Sequence, residues 1–249
     1  MILLTLGVIF IGGHVWILND LYGRSADVHN PAKNSPLLSA EVSPKGLFVL
    51  SFILLFLGLC TCFLFTLRTF IIALLIGLIL DLYSCEPFFL KGKPILSSLV
   101  HLVGGTLFFL SGYSIFRRID MGSVLIGFYF GIVFTAGHLN HEVKDYEGDL
   151  VAGIMTNAVR FGKKKMFFLS FFLFSLSSIY FYFLGFYGIV YQYLSVMLLA
   201  IYPFYIYFFC DTLRKGLSCT NMYGFRKRYR TLYGIMGCFM GIFIVINLF

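Results

Sequence analysis

The sequence predicts an all-α protein, a polytopic transmembrane helix bundle, on three observations. Hydrophobic residues make up 59% of the 249 and charged residues only 12%, whereas soluble domains sit near half apolar with about a quarter charged. A mean hydropathy of +0.91 points the same way. The apolar residues also fall in continuous runs near the roughly 20 residues that cross a bilayer, without the alternation of barrel strands. Inside lipid the backbone of each run must satisfy its own polar groups, so the runs are helices.

Taken in order, eight spans are expected at 2–19, 46–66, 68–82, 95–114, 121–139, 166–184, 188–209 and 231–249, within a single membrane domain over 1–249. The first, "MILLTLGVIFIGGHVWILND", lacks the basic n-region and small-residue cleavage site of a signal peptide, so it reads as a membrane helix. The third is short. "TLRTF" (66–70) and "GFYG" (185–188) are tight enough to join antiparallel neighbours.

The loops then sort by charge. Loops 20–45, 83–94, 140–165 and 210–230 hold sixteen of the 19 lysines and arginines, and the opposite loops hold only Arg68, Arg117 and Arg118. Cytoplasmic loops carry the positive excess, which places the first set in the cytoplasm. A net charge of +8 dispersed in this way gives no groove-tracking patch for nucleic acid. The cluster "GFRKRYR" (224–230) reads as an anchor to anionic lipid. The six cysteines show no CxxC pairing and are read as small buried hydrophobes, with neither a zinc site nor a disulfide framework.

Against this background two acidic stretches stand out. "NDLYGRSADVHN" (19–30) and "NHEVKDYEGD" (140–149) hold Asp20, Asp27, Glu142, Asp145, Glu147 and Asp149, six of the eleven acids. They follow the first and fifth spans, which suggests two similar halves, about 1–94 and 95–249, each lending one acidic loop to a shared mouth. If 140–149 continues the fifth helix, Glu142, Asp145 and Asp149 share one face, with Asn140 nearby. Like charges so placed repel, and a bound cation relieves them. Carboxylate and amide oxygens without sulfur suit magnesium, which takes one or two carboxylates and completes its shell with water and phosphate. Arg24, Lys33, Lys91, Lys144 and Arg160 on the same side suit phosphate. Acids, metal and bases at the mouth of an apolar cavity point to a lipid diphosphate.

These residues resemble the UbiA-type prenyltransferase superfamily. Its first motif, NDxxDxxxD followed by an Asn, is matched at its ends by Asn19, Asp20, Asp27 and Asn30, with Gly23 in the central Asp position. Its acidic DxxxD is matched by Asp145 and Asp149, with Glu142 as an upstream extension, and "GDLVAGIMTNAVRFGKK" is similar to the tail that follows. "YSCEPFFLKGKP" (83–94) is similar to its Tyr…Lys loop through Tyr83 and Lys91.

The resemblance implies a bundle around a central cavity, usually of nine spans, so the eight here would lack a first helix. It implies two magnesium ions gripping an isoprenyl diphosphate, whose ionised chain is attacked by an aromatic or lipid acceptor. The metal residues would be Asp20, Asp27, Glu142, Asp145 and Asp149, the four aspartates being catalytic. Asn19, Arg24, Asn30, Lys33, Tyr83, Lys91, Asn140 and Arg160 would contact substrate.

An alternative class is a cation transporter or channel lined by the same aspartates. Its acids, however, would lie near the midplane and not at one face. An iron or zinc site at His138, Glu142 and Asp145 is conceivable, but a polar helix end explains them more simply. His14 and His101 lie within spans and are read as hydrogen-bonded structural histidines.

Overall fold

A computed structural model describes residues 2–28 and 42–246. Asn30 and Lys33, both expected at the site, lie outside the described residues. The described chain is helical, with no strand.

Helix α1 (Ile2–Tyr22) is followed by the single turn α2 (Arg24–Asp27), then α3 (Pro44–Phe63) and α4 (Leu67–Ser84). A 3-10 turn at Leu90–Gly92 leads into α5 (Leu96–Phe116) and α6 (Met121–Val151). A short α7 (Asn157–Phe161) precedes α8 (Lys163–Phe186), α9 (Gln192–Lys215) and α10 (Cys219–Ile246). Seven of these helices are long and apolar enough to cross a membrane. The eighth expected span, 231–249, is entered by α10, and its end lies outside the described residues.

Local chemistry sets the ends. Ser43 caps α3, its Oγ accepting from Gly46 N at 3.0 Å with Pro44 at the first helical position. Thr66 does the same for α4 through Thr69 N at 3.0 Å. Asp120 and Ser123 form a capping box on α6, and those hydrogen bonds hold the Asp120 carboxyl below its usual range. Gly162, at φ 94°, separates α7 from α8 in a backbone shape that favours glycine.

Two expected loops are largely helix. The fifth span was expected to end at 139, yet α6 runs on to Val151, and α10 begins at Cys219 inside the expected loop 210–230. Lys, Arg and Glu are good helix formers, so a helix need not stop where its apolar stretch does. At 1.5 Å per residue the 31 residues of α6 measure about 46 Å, well beyond a hydrocarbon core of about 30 Å. Its acidic last turns therefore stand at the membrane mouth.

Packing falls into groups. Ile11, Cys62, Ile72, Ala73, Ile76, Leu80 and Val100 join α1, α3, α4 and α5. Leu139, Val143, Phe167, Phe174, Tyr205, Phe209 and Phe225 join α6, α8, α9 and α10. The groups thus part between α5 and α6, whereas the acidic repeat puts α5 in the second half. The two helices approach closely through glycine: a Cβ on Gly131 would lie 2.5 Å from Leu102 O.

Candidate active site

The acidic stretches converge. Helix α1 ends at Tyr22, Gly23 caps the one-turn α2, and α2 packs on α6. An added Cβ on Gly23 would stand 3.7 Å from both Asp27 Oδ2 and Lys91 Nζ, and Lys91 Nζ is 3.6 Å from Asp149 Oδ1. Lys91 therefore links the two stretches in three short steps. The same Cβ would lie 2.7 Å from Asn19 O, so the backbone here has no room for a side chain unless it moves.

On α6 the acids differ sharply in setting. Asp149 is buried, and its Oδ1 accepts no hydrogen bond. Asp145 is partly exposed, with His141 Nε2 2.9 Å from one oxygen and Lys144 Nζ 2.8 Å from the other.

Glu142, expected to share the metal face, has hydrogen-bond partners of its own. Its Oε1 accepts from Asn157 Nδ2 at 3.0 Å and Ser97 Oγ at 3.2 Å, and its Oε2 accepts from Ala158 N at 3.2 Å. One turn below Asp145, it faces α5 and α7 and fastens α6 to both. Asn140 was expected at the substrate. It is fully buried and adjacent to Tyr205, within the core of α6 and α9.

Asn157 completes this fastening. Its Oδ1 accepts from Ile95 N at 2.7 Å, and its Nδ2 also donates to Ser97 Oγ at 2.8 Å. Ile95 (φ 69°) and Phe89 (φ 38°), both left-handed and neither a glycine, flank the turn that carries Lys91. Such residues persist only where the surroundings hold them. Glu142 and Asn157 thus hold the loop that presents Lys91.

The other expected residues are dispersed more widely. Asn19 and Asp20 occupy the last turns of α1 and are partly buried, while Arg24 and Arg160 are exposed. Tyr83, in the last turn of α4, sets its ring against His101, centroids 4.9 Å apart. Sequence reasoning missed Asp81, whose Oδ1 is 2.9 Å from His14 Nε2, while His14 Nδ1 is 3.0 Å from Ser51 O. His14 is thus the bonded structural histidine expected, but one apolar-run carboxylate gave no spacing signal to find its partner. Burial pushes the Cys85 thiol up, in line with an inert cysteine.

Among the described residues no three His, Cys, Asp or Glu side chains form a ready-made metal cage. Magnesium needs only one or two carboxylates, with water and phosphate completing its shell. The buried Asp149 Oδ1 without a hydrogen bond is a hard oxygen suited to that role.

The class the fold defines is a helical membrane bundle that brings its two acidic stretches together near a lysine at one end. The comparison with known families is specific: the chain belongs to the UbiA prenyltransferase family, whose family model matches residues 1–229. It is 31% identical over 166 residues to a digeranylgeranylglyceryl phosphate synthase of Methanosarcina mazei, covering 66% of this chain and 55% of that one. A protein of the same name from Sulfurisphaera tokodaii is 31% identical over 173 residues, covering 68% and 59%. The chain therefore matches under two thirds of the length of these curated relatives. Its fold is similar to that of a UbiA homolog from Archaeoglobus fulgidus bound to GPP and Mg2+, with a TM-score of 0.71 at 22% identity, covering 83% of this chain and 74% of that one.

Proposed function

We propose that this protein transfers an isoprenyl group from an isoprenyl diphosphate to a lipid acceptor within the membrane, in a magnesium-dependent reaction. The observation that carries this is the junction of Asp27, Lys91 and Asp149 at the end of an apolar bundle. Family membership and the ligands named for the Archaeoglobus structure support it. The names of the Methanosarcina and Sulfurisphaera relatives favour a glyceryl phosphate lipid over an aromatic acceptor.

Asp20 and Asp27 on one side and Asp145 and Asp149 on the other would hold the magnesium, with two ions the natural number for two stretches. When bound, the metal neutralises the diphosphate and makes it a better leaving group. Lys91 places a fixed positive charge between the stretches, where negative charge grows as the allylic C–O bond breaks. Lys144, now paired with Asp145, supplies further positive charge at the same mouth. Arg24 and Arg160, both exposed, would serve as outer contacts to an incoming diphosphate. The apolar interior receives the isoprenyl chain and keeps water from the cation. The split of basic residues, sixteen against three, supports a cytoplasmic mouth.

The test is pyrophosphate release from a labelled isoprenyl diphosphate by purified protein with Mg2+ and acceptor. Release should vanish in Asp145→Ala and Asp149→Ala. Unchanged release would remove both residues from the reaction.

A further inference from the structure

The basic run "GFRKRYR" of α10 divides once its side chains are followed. Lys227 and Arg230 are exposed. Arg228 is tied within the bundle, its Nη1 donating to Asp211 Oδ2 at 2.8 Å and its Nη2 to Thr212 Oγ1 at 3.3 Å. Arg226 differs from all three. It is partly buried, its Nε is closed off from solvent with no hydrogen-bond partner, and it forms no ion pair among the described residues.

The course of α10 brings Arg226 beside the acidic mouth. The helix starts next to the acidic end of α6, where Lys163 Nζ bonds both Glu147 of α6 and Leu217 O. It then runs antiparallel to α6, since a Cβ on Gly137 would stand 3.7 Å from Tyr229 Oη. Arg226 comes one turn before Tyr229 and His141 one turn after Gly137, so the two fall level, and the Arg226 charge acts on the His141 ring. Met222 and Tyr229 share the face of Arg226 and lie in one buried core with Leu139 and Val143 of α6. Cα–Cβ bonds tilt toward the start of a helix, which turns the Arg226 stem toward the mouth. There His141 holds Asp145, with Nε2 2.9 Å from Oδ2.

A guanidinium partly withdrawn from water without an acceptor is costly, and a phosphate relieves it through paired, charge-assisted hydrogen bonds. The position is distinct from that of Lys91. Lys91 enters from the turn between α4 and α5 and stands by Asp149, which is about 12 Å along α6 from His141 at 1.5 Å per residue. Two cationic positions at different levels suit two phosphate groups, one on each substrate. We propose that Arg226 grips the phosphate of the acceptor lipid and selects acceptors that carry one. This rests on the transferase reading, in which Lys91 serves the donor diphosphate.

The test uses the full chain in nanodiscs of zwitterionic lipid with geranyl diphosphate and Mg2+. Two acceptors are compared, a glyceryl phosphate lipid bearing a free hydroxyl and the same lipid without its phosphate. Arg226→Gln should raise KM for the phosphate lipid by about 10 to 10²-fold, the scale of a hydrogen bond to a charged group, and bring the two acceptors close in kcat/KM. Mg2+-dependent binding of geranyl diphosphate should be unchanged, which also shows that the variant is folded. Arg226→Lys, which keeps the charge without the planar fork, should retain part of the preference. Equal use of both acceptors by wild type overturns the assignment, as does a preference left unaltered in Arg226→Gln. Weakened donor binding with acceptor KM unchanged overturns it in favour of the diphosphate. An effect seen only when anionic lipid is added overturns it in favour of a membrane anchor. Wild-type protein that binds no geranyl diphosphate overturns the transferase reading itself.

Discussion

The two acidic stretches converge at one end of the bundle, yet they are built differently. The second lies on α6, a continuous 31-residue helix fixed by a capping box at one end and by Glu142 and Asn157 at the other. The first lies across a break, with Asp20 in the last turns of α1 and Asp27 in the one-turn α2 beyond Gly23. A long helix fixes the spacing and direction of its acids through backbone geometry alone. A four-residue turn depends on what it packs against, here α6. The rigid stretch thus supplies the reference frame, and the short one is placed against it.

Substitutions should expose that asymmetry. The largest effect is expected for Asp149→Asn, whose buried oxygen has no hydrogen-bond donor to fall back on. Pyrophosphate release should drop about 10² to 10³-fold, the scale for losing one preorganised electrostatic group. Asp27→Asn should cost about tenfold less, because this stretch already lacks the carboxylate that Gly23 replaces and tolerates weaker ligation. Equal losses would erase the distinction between the two.

Lys91→Met comes next. It removes a charge that stands beside Gly23 and Asp149, and equilibrium binding of geranyl diphosphate with Mg2+ should weaken about tenfold, near 1.4 kcal/mol. Glu142→Ala separates holding from chemistry. Buried donors on Asn157, Ser97 and Ala158 lose their partner, at about 1–3 kcal/mol each, so melting in detergent should fall well before the metal requirement changes. The smallest effect is expected for Gly23→Ala. A Cβ 2.7 Å from Asn19 O must displace α2, and donor binding should weaken only a few-fold, as α2 can shift on its exposed side.

Much of this was legible in the sequence because its signals are strong and local. Continuous apolar runs gave the helices, and i, i+3, i+4 spacing put Asp145 and Asp149 on one face. The same spacing put Glu142 on that face too. Periodicity assigns a face but not a depth, and one turn down that face meets Ser97 and Asn157 instead of the mouth. Asn140, beside the acids in sequence, is buried and adjacent to Tyr205. Asn157 and Asp81 were not singled out, since their roles depend on partners 62 and 67 residues away. The ends of α6 and α10 were missed because charge marks the limit of lipid and not the end of a helix.

The central claim is that both stretches grip one ligand, and a double-substitution binding cycle tests it most directly. Mg2+-dependent affinity for geranyl diphosphate would be measured for wild type, Asp27→Asn, Asp149→Asn and the pair. If the aspartates clasp a single diphosphate, each change alone weakens binding and the two together fall clearly short of additive, by more than the roughly 0.5 kcal/mol of independent sites. Strict additivity, or wild-type affinity in either single variant, would contradict it.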